Sequence, residues 1–264
     1  MIYFRAVEYL RYLVKSAHRR GHGIHSPFVF KVVSQIFRNK TDPAIVFCIE
    51  KVRKRMMSDS RVIMTNDLGA GHCYGNKESR MRKVSEIARY SSVTRKYGIL
   101  LSNMAKEFGG PHIIELGTSL GISSMYMALS CPDITIHTIE GCQETAKIAA
   151  ANFDQDMIQN IKLHQGTFDD RLPEILASTS APGLVFIDGN HRKEPLLKYF
   201  NLIAERSDTN TVIIVDDIYL SREMEEAWQS VKSHEKVSVT IDLYRMGLIF
   251  FRKGINCNHF AVRY

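Results

Sequence analysis

His112-Ile113-Ile114-Glu115-Leu116-Gly117-Thr118-Ser119-Leu120-Gly121-Ile122-Ser123-Ser124 is the stretch from which the rest of the chain can be read. A short apolar run ends in an acid, passes two glycines four positions apart and opens a helical pattern. That order is a strand, a tight turn and a helix start, the layout of a nucleotide-type site at the carboxyl edge of a parallel sheet. A dinucleotide fingerprint needs Gly at its first, third and sixth places. Counting from Gly117, those places hold Gly117, Ser119 and Ile122, so the turn is poorly made for a pyrophosphate.

The sequence on either side extends the pattern. Ile134-Thr135-Ile136-His137-Thr138-Ile139-Glu140 ends in an acid 23 residues after Gly117, and a carboxylate at a second strand's tip can accept hydrogen bonds from both hydroxyls of a ribose. Ile161 to Gln165 reads as a strand opening into Gly166-Thr167-Phe168-Asp169, a turn able to face an adenine. Gly183-Leu184-Val185-Phe186-Ile187-Asp188 and Val212-Ile213-Ile214-Val215-Asp216-Asp217 are buried-type strands that also end in acids. Helical spacing separates the strands over residues of roughly 121–130, 143–153, 170–178 and 194–206. Residues 221–232 carry Met224, Ala227, Trp228 and Val231 at helical spacing, and the β runs 237–243 and 246–251 are close enough to form an antiparallel hairpin. Five strands alternating with helices, with acids gathered at their carboxyl ends, give a doubly wound α/β domain with an active edge. Any one of these acids could instead cap a following helix. That account does not predict all of them together.

From about residue 94 to 252 the chain resembles the class I S-adenosylmethionine-dependent methyltransferases, in particular the small O-methyltransferases related to the catechol and caffeoyl-coenzyme A enzymes. The resemblance rests on Lys96-Tyr97-Gly98-Ile99-Leu100-Leu101, on Glu115-Leu116-Gly117-Thr118-Ser119-Leu120-Gly121, on Phe186-Ile187-Asp188-Gly189-Asn190-His191 and on Val215-Asp216-Asp217. It implies a Rossmann-like, doubly wound sheet of seven strands in the order 3-2-1-4-5-7-6 with the last antiparallel. A mainly helical N-terminal cap over residues 1–95 would precede an S-adenosylmethionine-binding domain over 96–264. It also implies site roles. Glu115, Gly117, Ser119 and Gly121 would hold the methionine end of the donor, Glu140 the ribose, and Thr167, Phe168 and Asp169 the adenine side. Asp188 would serve both the cofactor side and catalysis, with His191 as base. Metal-dependent relatives hold Mg²⁺ with an acid of the third motif and an Asp-Asn pair of the fourth, so Asp188, Asp216 and Asp217 are the candidate ligands here, with Asp in place of Asn. Those relatives place a Lys three residues after the first acid, where this chain has His191. Asp-Gly-x-His also occurs in relatives that methylate sugars and natural products. The implied activity is methyl transfer from S-adenosylmethionine to a hydroxyl of a small-molecule or glycan-like acceptor.

The chemistry suits those residues. In-line transfer from a sulfonium asks the protein to align two reactants and to remove the acceptor's proton. A hydroxyl needs a base or a metal to become a good nucleophile. Carboxylates are hard ligands for Mg²⁺, and a His titrating near neutrality is a competent base.

Asn66-Asp67-Leu68-Gly69-Ala70-Gly71 spells a second glycine turn, but its apolar run (Val62, Ile63, Met64) is short and a polar, charged segment follows. It reads as a loop in the cap. The chain has 264 residues, 45% of them hydrophobic, and five dispersed cysteines (Cys48, Cys73, Cys131, Cys142, Cys257) without a Cys-x-x-Cys pair. That usage points to free thiols in a reducing, cytoplasmic setting and away from a zinc site. No run is long and apolar enough to span a membrane, and no signal-peptide core opens the sequence.

The net charge of +7 conceals an asymmetry: residues 1–110 hold 21 Lys/Arg against 8 Asp/Glu, and residues 111–264 hold 14 against 20. An amphipathic first segment carries Arg5, Arg11 and Lys15, a glycine-punctuated stretch carries Arg19, Arg20, His22 and His25, and Lys51 to Arg55 adds four cations. The second of these, Gly21-His22-Gly23-Ile24-His25-Ser26-Pro27-Phe28, also resembles a group of bacterial methyltransferases. Such a basic cap suits an anionic acceptor, RNA or an anionic membrane surface, and equally the solvated face of a lid or homodimerisation element. An RNA methyltransferase is one alternative reading. No Asn-Pro-Pro-Tyr-like tetrapeptide follows the fourth strand, which counts against it. A non-catalytic S-adenosylmethionine-binding scaffold is the other.

Overall fold

The computed structural model describes residues 2–16, 23–66, 79–254 and 257–264. The glycine turn at 67–71, Cys73 and the cluster Arg19, Arg20 and His22 lie outside the described residues. The N-terminal part holds α1 (Ile2–Lys15), α2 (Pro27–Lys31) running into a π-helical turn (Val32–Ile36), α3 (Pro43–Met57), strands β1 (Val62–Asn66) and β2 (Ser79–Lys83), and α4 (Val84–Tyr90). Ser26 and Asp42 cap α2 and α3, each followed by a Pro at the first helical position, where its missing N–H costs nothing.

Beyond these, α5 (Arg95–Phe108) leads into an alternation of β3 (His112–Leu116), α6 (Ile122–Ser130), β4 (Thr135–Glu140), α7 (Gln143–Gln155), β5 (Ile161–Gln165), α8 (Phe168–Ser178), β6 (Leu184–Ile187), α9 (Lys193–Arg206) and β7 (Val212–Val215). The chain closes with α10 (Arg222–Lys232), β8 (Val239–Asp242), β9 (Gly247–Phe250) and β10 (Asn258–Ala261).

The main sheet is mostly parallel and runs β10-β8-β9-β7-β6-β3-β4-β5, with β9 antiparallel to both its neighbours. One expectation needs correction. The sheet has eight strands rather than seven, because Asn258–Ala261 pairs in parallel with β8 and extends the order past the hairpin. Beside its helices the N-terminal part also holds a strand pair: the short apolar run before the glycine turn lies in Val62–Asn66, paired antiparallel with Ser79–Lys83. Its Val62 and Met64 and the facing Met81 are about half exposed or more, so no buried face marked it in the sequence.

Alternation along the strands sorts the apolar side chains into two cores. Ile113, Ile136, Leu184, Phe186, Val212 and Ile214 face the core beneath α5, α6 and α7, which the N-terminal helices also share. Ile114, Leu116, Ile139, Val185, Ile187 and Val215 face the core under α8, α9 and α10, built around Trp228, Phe200 and Tyr199. At Gly98 a Cβ would sit 2.3 Å from the Tyr126 ring. This close approach of α5 and α6 accounts for the glycine in Gly98-Ile99-Leu100-Leu101. No helix among the described residues is long and apolar enough to cross a membrane. The described cysteines Cys48, Cys131, Cys142 and Cys257 are free thiols.

Two of the four cations in the basic stretch of α3 are committed to internal pairs. Arg53 bonds Glu50 and the Val93 carbonyl. Arg55 reaches Asn152 at 3.1 Å and Asp156 at 3.4 Å on α7. Cations that read as an open patch in the sequence are therefore partly ties between the N-terminal layer and the sheet domain.

Candidate active site

The carboxyl ends of β3, β4, β6 and β7 meet at one edge. After β3 the backbone turns through Gly117, whose φ of +104° lies in the region glycine favours. A Cβ there would lie 2.0 Å from the Asp188 carbonyl oxygen, so the β3 and β6 tips touch backbone to backbone and exclude any side chain. Gly121 (φ +86°) starts α6 against the Phe153 ring, where a Cβ would come within 2.5 Å. Ser119, between them, is also left-handed (φ +50°), which turns its N–H toward β4.

That N–H donates to Glu140 Oε2 at 2.7 Å, and the Cys142 N–H donates to Oε1 at 2.8 Å. Glu140 is thereby fixed at the tip of β4, each oxygen keeping acceptor capacity for a further donor. Burial raises its pKa against the pull of these amides.

Glu115 stands elsewhere. It is fully buried beneath the turn, where Ser124 and Thr138 donate to its Oε2, and its Oε1 has no hydrogen-bond partner among the described residues. Burial, only partly offset by those hydroxyls, pushes its pKa up to about 7. It braces the β3 turn from below and does not line the open edge. On the expected adenine side, Thr167 caps α8 through the Asp170 N–H, and Phe168 and Asp169 fall in that helix's first turn. The Phe168 ring packs on Gly189, where a Cβ would come within 2.8 Å, and Asp169 pairs with Lys198 at 2.8 Å. Of the three, only Phe168 stands against the loop after β6.

At the tip of β6, His191 Nε2 lies 3.5 Å from Asp188 Oδ1. Burial alone would depress the imidazole, but the bond to Asp188 and the charges of Asp188, Asp217 and Asp216 prevail and hold it at about 9. The surrounding carboxylates thus favour the imidazolium form of His191. Asp188 is itself pushed up by burial, with Asp216 behind it. The Asn190 side-chain oxygen beside the pair is buried without a partner among the described residues.

Asp216, at the tip of β7, is completely buried, and its carboxylate is gripped by Arg245: Nη2 to Oδ2 at 2.9 Å and Nε to Oδ1 at 3.1 Å. Arg245 Nε is also 3.9 Å from Asp217, and its guanidinium lies over the Tyr97 ring at 5.4 Å. Asp217 does not cap the next helix, a task that falls to Ser221. Mg²⁺ does not fit this donor set, since a guanidinium already fills the space between the carboxylates. Among the described residues no group of three or more His, Cys, Asp or Glu is arranged to hold a metal ion. Arg245 escaped the sequence reading altogether. It sits in the β8–β9 turn, and only the insertion of antiparallel β9 beside β7 carries that turn to the β7 tip.

Residues 114–218 match the family described as a methyltransferase domain. The chain is 28% identical over 130 residues to a catechol O-methyltransferase of Niastella koreensis, covering 48% of this chain and 58% of that protein. It is 32% identical over 116 residues to O-methyltransferase imqG of Aspergillus flavus, covering 42% and 46%. The match thus spans roughly half of either relative. In three dimensions it superposes on the O-methyltransferase TomG of Streptomyces achromogenes, solved in complex with SAM, with a TM-score of 0.56 and 19% identity, over 85% of this chain and 95% of that one. At that identity the likeness shows the fold alone. Over residues 114–218 the chain thus resembles methyltransferase domains, and the curated relatives that it matches are O-methyltransferases.

Proposed function

We propose that this chain transfers a methyl group from S-adenosylmethionine to an oxygen of a small-molecule acceptor. The observation that carries the reading is Glu140, locked by two backbone amides at the β4 tip beside a turn bounded by Gly117 and Gly121, with acceptor positions left for a vicinal diol. The residues present fit the donor. Gly117, Ser119 and Gly121 offer the backbone of their turn to its methionine end, Glu140 takes the ribose hydroxyls, and Phe168 offers a ring face on the base side. Thr167 and Asp169 contribute through α8, and Glu115 supports the turn from beneath.

When bound, S-adenosylmethionine supplies an electrophilic methyl whose C–S bonding pair stays with sulfur as the acceptor oxygen bonds to carbon. The protein's part is alignment and proton removal. Asp188 and His191 are the proton-handling pair. His191 acts as base once it has lost its own proton, so the chemistry favours alkaline pH. Mg²⁺ has no part in this reading, because Arg245 already neutralises Asp216. Residues 1–95 act as the acceptor-side cap over a cofactor domain formed by 96–264, with Tyr97 and Tyr244 giving aromatic walls near the reacting edge. RNA as acceptor is the weaker reading, because Arg53 and Arg55 are tied to internal partners.

The test is calorimetric titration of the full chain with S-adenosylhomocysteine, followed by transfer of labelled methyl to a panel of catechols, sugars and other hydroxyl acceptors. One-to-one binding with transfer to a hydroxyl is expected. Absence of cofactor binding refutes the reading.

A further inference from the structure

Three carboxylates converge at the tips of β6 and β7, and between two of them stands a side chain from a different hairpin. Arg245 spends Nε and Nη2 on Asp216 and approaches Asp217 at 3.9 Å, yet its side chain remains 30% exposed and Nη1 makes no hydrogen bond to a described residue. Tyr97 backs one face of the guanidinium at 5.4 Å. Its position is over-determined from three sides: the buried Asp216, the ring of Tyr97, and the turn itself, where the Arg245 carbonyl accepts the Ile218 N–H at 3.2 Å. A fixed guanidinium presents a planar fork of donors and cannot be deprotonated. It therefore offers positive charge to an oxygen without the hydration demands of a metal ion.

We propose that Arg245 is the resident cation of this carboxylate edge, occupying the place a divalent metal would take, and that its free Nη1 receives the oxygen of the methyl acceptor. The acceptor half of this rests on the methyltransferase reading. The metal half stands without it. The acceptor class follows from the donor. One charge-assisted N–H beside aromatic rings selects a single phenolic, enolic or carboxylic oxygen and does not require the vicinal hydroxyls that chelate a metal.

The test uses Mn²⁺ as probe, followed by electron paramagnetic resonance and by melting temperature, on the full-length chain. The wild type is expected to bind no Mn²⁺ at this edge. Arg245→Gln keeps an amide donor for Asp216 but removes the charge, and it should bind one Mn²⁺ at least tenfold more tightly than the wild type, with the gain lost on adding Asp217→Asn. Arg245→Lys, which retains the charge, should stay metal-free. Mn²⁺ binding by the wild type that Asp217→Asn abolishes would overturn the proposal, as would a folded Arg245→Gln that binds no more Mn²⁺ than the wild type. Should Arg245→Gln fail to fold, the wild-type and Arg245→Lys titrations still decide it: Mn²⁺ held by either at Asp217 overturns the proposal, and its absence from both supports it. S-adenosylhomocysteine titration of the same proteins separates the two readings. Binding retained in Arg245→Lys places Arg245 off the donor site. A wild type that binds neither S-adenosylhomocysteine nor Mn²⁺ sinks the proposed function and leaves the cation assignment intact.

Discussion

Replacing Glu140 by Gln tests the donor site with little change of shape. In the wild type both carboxylate oxygens accept a backbone N–H, from Ser119 at 2.7 Å and Cys142 at 2.8 Å. Each can also accept one ribose hydroxyl. Gln offers only one oxygen, so its NH₂ must face one of the two amides, and the surviving ribose contact is no longer charge-assisted. A hydrogen bond to a charged group contributes about 1.5–3 kcal/mol. At about 1.4 kcal/mol per decade, the loss of one such contact weakens binding roughly 10- to 100-fold. The assay is calorimetric titration with S-adenosylmethionine and S-adenosylhomocysteine, and both should weaken alike because both carry the ribose. Far-UV circular dichroism and the melting transition establish that the variant is folded. A folded Glu140→Gln protein with wild-type affinity for both ligands would refute the ribose assignment.

Three further outcomes are expected. Gly117→Ala forces a Cβ to 2.0 Å from the Asp188 carbonyl at a φ of +104°. It should cost more than about 2 kcal/mol and abolish S-adenosylhomocysteine binding, and a variant that melts and binds like the wild type would contradict the packed turn. Glu115 binds its proton more tightly folded (about 7) than a free carboxyl does (4.5), so its penalty is fully present above pH 7 and is relieved as the pH falls toward 4.5. The shift corresponds to a term of about 3 kcal/mol. Melting curves from pH 8 to 5 should therefore show wild-type stability gaining on Glu115→Gln upon acidification, and parallel curves would exclude a buried, raised carboxyl. For His191 the slope has the same sign, stability falling as the pH rises, but the shift is a stabilisation at low pH rather than a penalty at high pH. Its raised pKa stabilises the fold fully below about 6.5, and this is lost as pH rises through about 9, with part offset by the raised Asp188. Imidazole NMR should find His191 titrating near 9, and lower in Asp188→Asn, whereas a wild-type value near 6.5 would dissolve the pair.

What was legible in the sequence was whatever repeats along it. The strands β3 to β9 announced themselves as apolar runs ending in acids or turns, and the intervening helices by their spacing. Glu140 was legible for the same reason, since the last residue of a strand must emerge at the sheet's edge. Glu115 precedes the tip by one residue, and the alternation of β3 turns it inward with Ile113, a placement that the motif alone does not give. Arg245 was invisible. Its partner Asp216 is 29 residues away, and their meeting depends on strand order, which no local pattern encodes. β10 is four residues of mixed polarity at the edge of the sheet, and β1–β2 has no buried stripe, so neither carried a periodic signal. The charge asymmetry is real as a sum, but part of it is not surface, because Arg53 and Arg55 spend their charge on internal partners.

The central claim is that the edge between Gly117 and Glu140 binds S-adenosylmethionine without a metal, and a thermal-shift titration of the wild-type chain tests it most directly. A ligand bound only by the native state stabilises it by about 2.7 kcal/mol at a hundredfold excess over Kd, or roughly 5–10 °C for a chain of this size. The melting temperature should climb with the logarithm of S-adenosylmethionine or S-adenosylhomocysteine concentration, identically with Mg²⁺ or with EDTA. No shift with either ligand, or a shift that appears only with Mg²⁺, would contradict it.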